Sequence, residues 1–253
     1  MKARPIIPWP GGKRRLSSQL FPFFSAHTCY VEPFAGGAAM LFDREKPAKV
    51  EVLNDINRDL VSLYRVVQHH LEEFIRQFKW SLVSRKMFDW VKLQNVDGLT
   101  DIQRAARFFY LQKTCFGAHV ENQTFGTATT ATPFNLLRIE EALSLAHIRL
   151  SRVLIECVPW SECIKRYDRP HTLFFCDPPY WETAGYNVGF GLDQYELLAE
   201  TLASIRGKFV LTLNDHAEMR RIFGRFESSQ IETTYTLGRI GKSTKRFERV
   251  FHS

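Results

Sequence analysis

In Asp177-Pro178-Pro179-Tyr180 a carboxylate, two proline carbonyls and a phenol ring stand in a row. Proline has no N–H, so the prolines present acceptors only. A carboxylate beside a carbonyl can accept both protons of an amine, and a tyrosine ring can stack on the planar group that bears it. An amine conjugated to an aromatic ring is a poor nucleophile, because its lone pair is delocalised. Holding both protons favours a tetrahedral nitrogen whose lone pair can attack an electrophile. A Pro-Pro turn after an incidental Asp reads the same in isolation, so the weight rests on the rest of the chain.

Three further stretches carry candidate chemistry. Pro8-Trp9-Pro10-Gly11-Gly12-Lys13 is a sharply turned segment that can bring backbone N–H groups and an ammonium onto an anionic ligand. It lacks the GxxxxGK[ST] spacing of a P-loop. Glu32-Pro33-Phe34-Ala35-Gly36-Gly37-Ala38 reads as a strand end, a tight glycine turn and a helix opening, but without the G-x-G-x-x-G of a dinucleotide site. Asp55 follows Gly36 at about the 20-residue interval that places an acid to accept from ribose hydroxyls, while Asn57 caps the next helix.

The elements that hold these residues alternate. Residues 28–31, 49–53, 152–157, 172–176 and 208–213 read as strands; 173–176 has no polar alternation, as in a strand buried on both faces. Helices follow near Leu16, from Arg58 to Leu71 with continuation to Phe78, around Ser161, and from Asp193 as N-cap to Ile205. Between residues 80 and 160 the pattern is helical (88–93, 102–115, 139–150). There the amide- and hydroxyl-rich stretch 116–133 is too long for an idle connection. His119, Asn122 and Gln123 on it can read base edges, with Arg104, Lys113 and Arg138 flanking as counter-charges. Residues 181–191, with Tyr186 and Phe190, read as a loop over the site. The basic run 238–250 places Lys242, Lys245 and Arg246 to hold phosphates.

Composition is that of a globular protein, 45% hydrophobic and 24% charged. A net charge of +7 favours a polyanionic partner. The five cysteines form no CxxC pair and no ligand cluster, which points to reduced packing residues of a cytoplasmic protein and to no metal. No apolar run reaches the roughly 18 residues of a membrane span.

Taken in order, Pro-Trp-Pro-Gly-Gly-Lys, Glu-Pro-Phe-Ala-Gly-Gly-Ala, Asn-Asp-Ile-Asn and Asp-Pro-Pro-Tyr resemble the motifs of the Dam-like DNA adenine methyltransferases, over nearly the whole chain. Residues 109–117 and 186–194 resemble two more of that family's motifs. The resemblance implies an α/β class I methyltransferase sheet, Rossmann-like, with residues 1–79 and 152–253 as catalytic domain. Residues 80–151 would be an inserted, mainly helical target-recognition domain. It implies S-adenosylmethionine as cofactor, held by Trp9, Lys13, Phe34, Gly36, Asp55 and Asp177. Asp177, Pro178, Pro179 and Tyr180 would face an adenine flipped out of double-stranded DNA. Ala38 departs from the family's Phe-x-Gly-x-Gly turn, and the loop 118–132 leaves the target sequence open. The expected protein is bacterial or phage-encoded and acts as a monomer on DNA, with a cognate restriction endonuclease not required. Other readings are a cytosine amino-methyltransferase (where Ser would replace Asp177), an RNA or protein-glutamine methyltransferase, and a non-catalytic DNA-binding relative.

Overall fold

The computed structural model describes residues 2–127, 138–182, 189–235 and 244–253, without the side chains of 233–235 and 244–246. Among these residues seven strands form one sheet: β1 (Cys29–Glu32), β2 (Val50–Asn54), β3 (Val153–Glu156), β4 (Thr172–Cys176), β5 (Lys208–Asn214), β6 (Glu227–Tyr235) and β7 (Thr244–His252). Their order is β3-β2-β1-β4-β5-β7-β6, parallel from β3 to β5 and antiparallel at β7 and β6. The helices are α1 (Ser17–Leu20), α2 (Ala39–Asp43), α3 (Arg58–His69), α4 (Leu71–Arg76), α5 (Arg85–Leu93), α6 (Asp101–Thr114), α7 (Ile139–Leu150), α8 (Trp160–Tyr167), α9 (Leu192–Ser204) and α10 (Ala217–Ile222). This is the α/β class I arrangement the motifs implied. None of these helices is long and apolar enough to cross a membrane.

The period of two along a strand sorts its side chains between two helical layers. Leu173 and Phe175 of β4 pack with α2, α3, α6 and α7; Phe174 and Cys176 pack with α8, α9 and α10. Every residue of β4 is buried, as its unbroken apolar run required. Strand order reverses at β1 and β4, so their connections leave in opposite directions. A crevice therefore opens over the carboxyl ends of these two strands, the point where Glu32 and Asp177 emerge.

Two expectations change. The helix expected to run from Arg58 toward Phe78 breaks at His70 (φ −133°, ψ 38°), and α4 then carries Phe74 onto Phe109 of α6, ring centroids 5.5 Å apart. Gly191, not Asp193, is the N-cap of α9, and Asp193 lies in its first turn. The basic run, to which no element was assigned from sequence, contributes β7, which pairs antiparallel with β6. Its mixture of charged and apolar residues hid the alternation that buries Glu248 and Val250. The helices of 80–151 pack on the rest of the chain. Phe88 and Phe109 belong to the same cluster as Leu60 and Phe74, and Gln68 Nε2 donates to the Leu150 carbonyl at 2.7 Å.

Candidate active site

Gly36, in the turn after β1, has φ +47°, and a Cβ there would lie 2.6 Å from the Trp9 ring. Conformation and close approach both demand glycine. Ala38 is itself left-handed (φ 51°, ψ 39°) and is the N-cap residue of α2, a strain of about 1–2 kcal/mol for a residue with a Cβ. Here the departure from the family's glycine is accommodated rather than bypassed.

The turn positions Asp55 at the end of β2. Its Oδ2 accepts from the Gly36 N–H and its Oδ1 from the Asn57 N–H, both at 2.9 Å, while Asn57 caps α3 as expected. Burial raises the Asp55 carboxyl above its ordinary range, and the N–H groups of Asn57 and Gly36 restrain the shift. Each oxygen keeps a lone pair for a ligand hydroxyl. Beside it lies a cavity of about 320 Å³. Phe34, stacked on Trp160 at 6.0 Å and met edge-on by Phe190, walls it, and Trp9, Lys13, Glu32 and Asp177 also line it. Aromatic faces and a hydroxyl-accepting carboxylate suit a nucleoside.

Lys13 sits in a short 3-10 turn and is only 3% exposed. Its Nζ lies 2.8 Å from Asp177 Oδ1 and 4.5 Å above the centroid of the Tyr180 ring. Thr212 of β5 donates to the same Oδ1 at 2.8 Å. Among the described residues no donor reaches Asp177 Oδ2 or the Pro178 carbonyl. Burial pushes the Asp177 carboxyl up, Lys13 pulls it down, and the charge of Glu248 adds to the rise. The rest of the segment is tied down. Tyr195 of α9 donates to the Pro179 carbonyl, Asn214 to the Trp181 carbonyl at 3.0 Å, and the Tyr180 hydroxyl donates to Glu248 at 2.7 Å.

Several of these residues escaped the sequence reading. Glu248, Thr212, Tyr195 and Trp160 carry no motif: the first two reach the site through strand pairing, the others from the helices α9 and α8 packed on the sheet. Glu32 was visible as an acid at a strand end, the one signal available. It is 2% exposed and accepts from the Tyr30 hydroxyl at 2.9 Å and the Leu41 N–H at 2.8 Å. Burial raises its carboxyl from the ordinary 4.5 to about 8. The folded protein thus holds this proton more tightly than the unfolded chain. The resulting stability is complete below pH 4.5 and is lost as pH rises through about 8. Glu32→Gln, which cannot ionise, is expected to flatten that decline, on the order of 4 kcal/mol between about pH 5 and pH 9. Denaturant midpoints of both proteins at the two pH values check it; parallel losses would show that Glu32 does not titrate there.

The residues expected on DNA divide. His119 and Asn122 are exposed on the turn after α6, and Val120 and Glu121 between them line the cavity. Gln123 is not available for bases. It is 8% exposed, and its Nε2 donates to Gln112 Oε1 and to the His119 carbonyl, both at 2.9 Å. Gln112 in turn donates to the Pro8 carbonyl at 3.0 Å, joining this turn to the Trp9 segment. Lys113 is half-buried over the Phe109 ring, and burial lowers its ammonium to about 8, so it is no exposed counter-charge. Arg104 pairs with Asp59 at 2.6 Å across α6 and α3, and Arg138 with Glu141 on the surface. Lys242 and Tyr186 lie outside the described residues, as do the side chains of Lys245 and Arg246 in β7.

A family model described as D12 class N6 adenine-specific DNA methyltransferase matches residues 9–237. Type II methyltransferase M.CviBI of Paramecium bursaria Chlorella virus NC1A is 24% identical over 250 residues, 94% of this chain and 95% of that protein. The DNA adenine methylase of Haemophilus influenzae is 27% identical over 222 residues, 81% of this chain and 76% of its own length. The retron Ec67 DNA adenine methylase of Escherichia coli is 26% identical over 247 residues, covering 92% of this chain and 85% of the relative.

Proposed function

The chain belongs to the D12 class N6 adenine-specific DNA methyltransferases, and from that premise we propose how its residues divide the work. The protein methylates the exocyclic 6-amino group of adenine in DNA, with S-adenosylmethionine as methyl donor. Bound in the cavity, that cofactor supplies an electrophilic methyl group on a sulfonium. Trp9, Lys13, Phe34, Gly36, Asp55 and Asp177 would hold it, Asp55 accepting from the ribose hydroxyls. The adenine, swung out of the duplex, would stack on Tyr180. Asp177 Oδ2 and the Pro178 carbonyl would accept hydrogen bonds from the two amine N–H groups, so that the nitrogen lone pair points at the methyl. One of those protons leaves once the N–C bond has formed and the S–C bond has broken. Lys13 keeps Asp177 ionised for that purpose. No covalent enzyme intermediate is needed, because in-line geometry supplies much of the rate.

The observation that carries this reading is the pair of acceptors that no donor among the described residues reaches, Asp177 Oδ2 and the Pro178 carbonyl, beside Asp177 Oδ1, the Tyr180 hydroxyl and the Pro179 and Trp181 carbonyls, which are held. Residues 80–151 would supply sequence recognition through His119 and Asn122, and the catalytic work would lie in 1–79 and 152–253. Arg138, Lys242, Lys245 and Arg246 would contact phosphates. The protein would act as a cytoplasmic monomer on duplex DNA without needing a nuclease partner. Methylation-sensitive sequencing of DNA from cells expressing the chain tests the reading. N6-methyladenine confined to one short sequence is expected; modified cytosine, or unmodified DNA despite cofactor binding in calorimetry, would sink it.

A further inference from the structure

We propose that Glu248 is a positioning residue for methyl transfer, which holds the Tyr180 ring, through its hydroxyl, in the orientation that receives the target adenine. The inference rests on the reading of Tyr180 as a stacking surface. Glu248 lies in β7 opposite Asn214 of β5 and is 2% exposed. Its Oε2 accepts from the Tyr180 hydroxyl at 2.7 Å. A carboxylate in so dry a place is costly unless it is hydrogen-bonded, so this contact is part of how β7 is held in the sheet.

The other ties on the segment act on different atoms. Thr212 and Lys13 hold the Asp177 carboxylate, and Tyr195 and Asn214 hold the carbonyls of Pro179 and Trp181. They fix the backbone but leave the two side-chain torsions of Tyr180 to be set elsewhere. Glu248 anchors the far tip of the ring, and the Lys13 ammonium 4.5 Å above the centroid covers one face. When the anchor is lost, the ring samples other rotamers and the amine is correctly placed for a smaller fraction of the time. The loss falls on the chemical step, because neither the cofactor cavity nor the duplex surface depends on the hydroxyl.

Three variants separate this role from a merely structural one. Tyr180→Phe deletes only the hydroxyl, Glu248→Ala deletes the acceptor, and Glu248→Gln keeps an amide oxygen in its place. Tyr180→Phe and Glu248→Ala are each expected to lower kcat about tenfold, with KM for DNA and cofactor affinity within about twofold of the parent. Glu248→Gln should recover most of that loss, and Tyr180→Phe combined with Glu248→Ala should fall no further than either alone. Additive losses, or a Tyr180→Phe enzyme as fast as the parent, would overturn the proposal. If Glu248→Ala does not fold, Glu248→Leu, which fills the space without offering an acceptor, takes its place in the cycle with the same outcomes expected. Tyr180→Ala is the control on the premise. If it costs nothing, the stacking role fails and the proposal with it; if it is costly while Tyr180→Phe is silent, only the role of Glu248 fails.

Discussion

Methyl transfer by an Asp177→Asn variant is expected to fall by about 10²- to 10³-fold in kcat, the loss seen when one preorganised electrostatic partner of a reacting group is removed. Asparagine fills the same space and keeps one oxygen. It lacks the charge that draws the amine proton, and its amide nitrogen would repel that proton wherever it takes the place of Oδ2. Cofactor affinity should fall far less, since Asp55, Phe34 and the glycine turn are untouched. Alanine is the poorer probe. It would strand the ammonium of Lys13, which is 3% exposed, and breaking such a pair costs about 3–5 kcal/mol of stability. Single-turnover transfer of a labelled methyl group, with cofactor binding measured alongside, gives the answer. Turnover within a few-fold of the parent would remove Asp177 from the chemistry.

Lys13→Met should produce the second large effect, and its signature is a changed pH profile. Burial and Glu248 both raise the Asp177 carboxyl, and Lys13 opposes them most, with help from the Thr212 hydrogen bond. Without the ammonium the carboxyl rises further, so less of it is ionised at neutral pH. The acid limb of the rate profile therefore moves to higher pH. Activity at pH 7 should drop about tenfold or more, as expected when a catalytic carboxylate loses its ionising neighbour, and should recover in part as pH is raised. Arg in place of Lys should not restore the parent, because its planar fork does not fit a site shaped around a compact ammonium. An acid limb that stays where it was would mean that Lys13 serves the cofactor alone.

Both predictions depend on one pair whose members lie 164 positions apart in sequence, Lys13 and Asp177. Neither motif predicts the other from its own residues. Each was legible as a sharply turned segment with polar equipment, since prolines and glycines in a short stretch restrict the backbone wherever they occur. Only the crossing from β1 to β4 puts them within 2.8 Å. The turn at Gly36 was likewise readable as tight. The reason it must be so tight, the Trp9 ring packed on it, belongs to the tertiary structure.

By itself the sequence determined the local elements and the chemistry at their ends: the strand over Thr172–Cys176, the helix Ile139–Leu150, the cap at Asn57 and the acids that close β2 and β4. These follow from short-range rules of periodicity, capping and backbone stiffness, which act within a few residues. Tertiary structure decided which polar groups are free to act. Gln123 and Lys113 look like DNA-contacting residues in a string of letters, yet folding spends one on an amide network and desolvates the other. Glu248 looks like one charge in a basic tail, yet pairing with β5 carries it to the Tyr180 hydroxyl. The physical reason is common to all three. The free energy of a polar side chain depends on its exposure and on its hydrogen-bond partners, and both are set by segments remote in sequence.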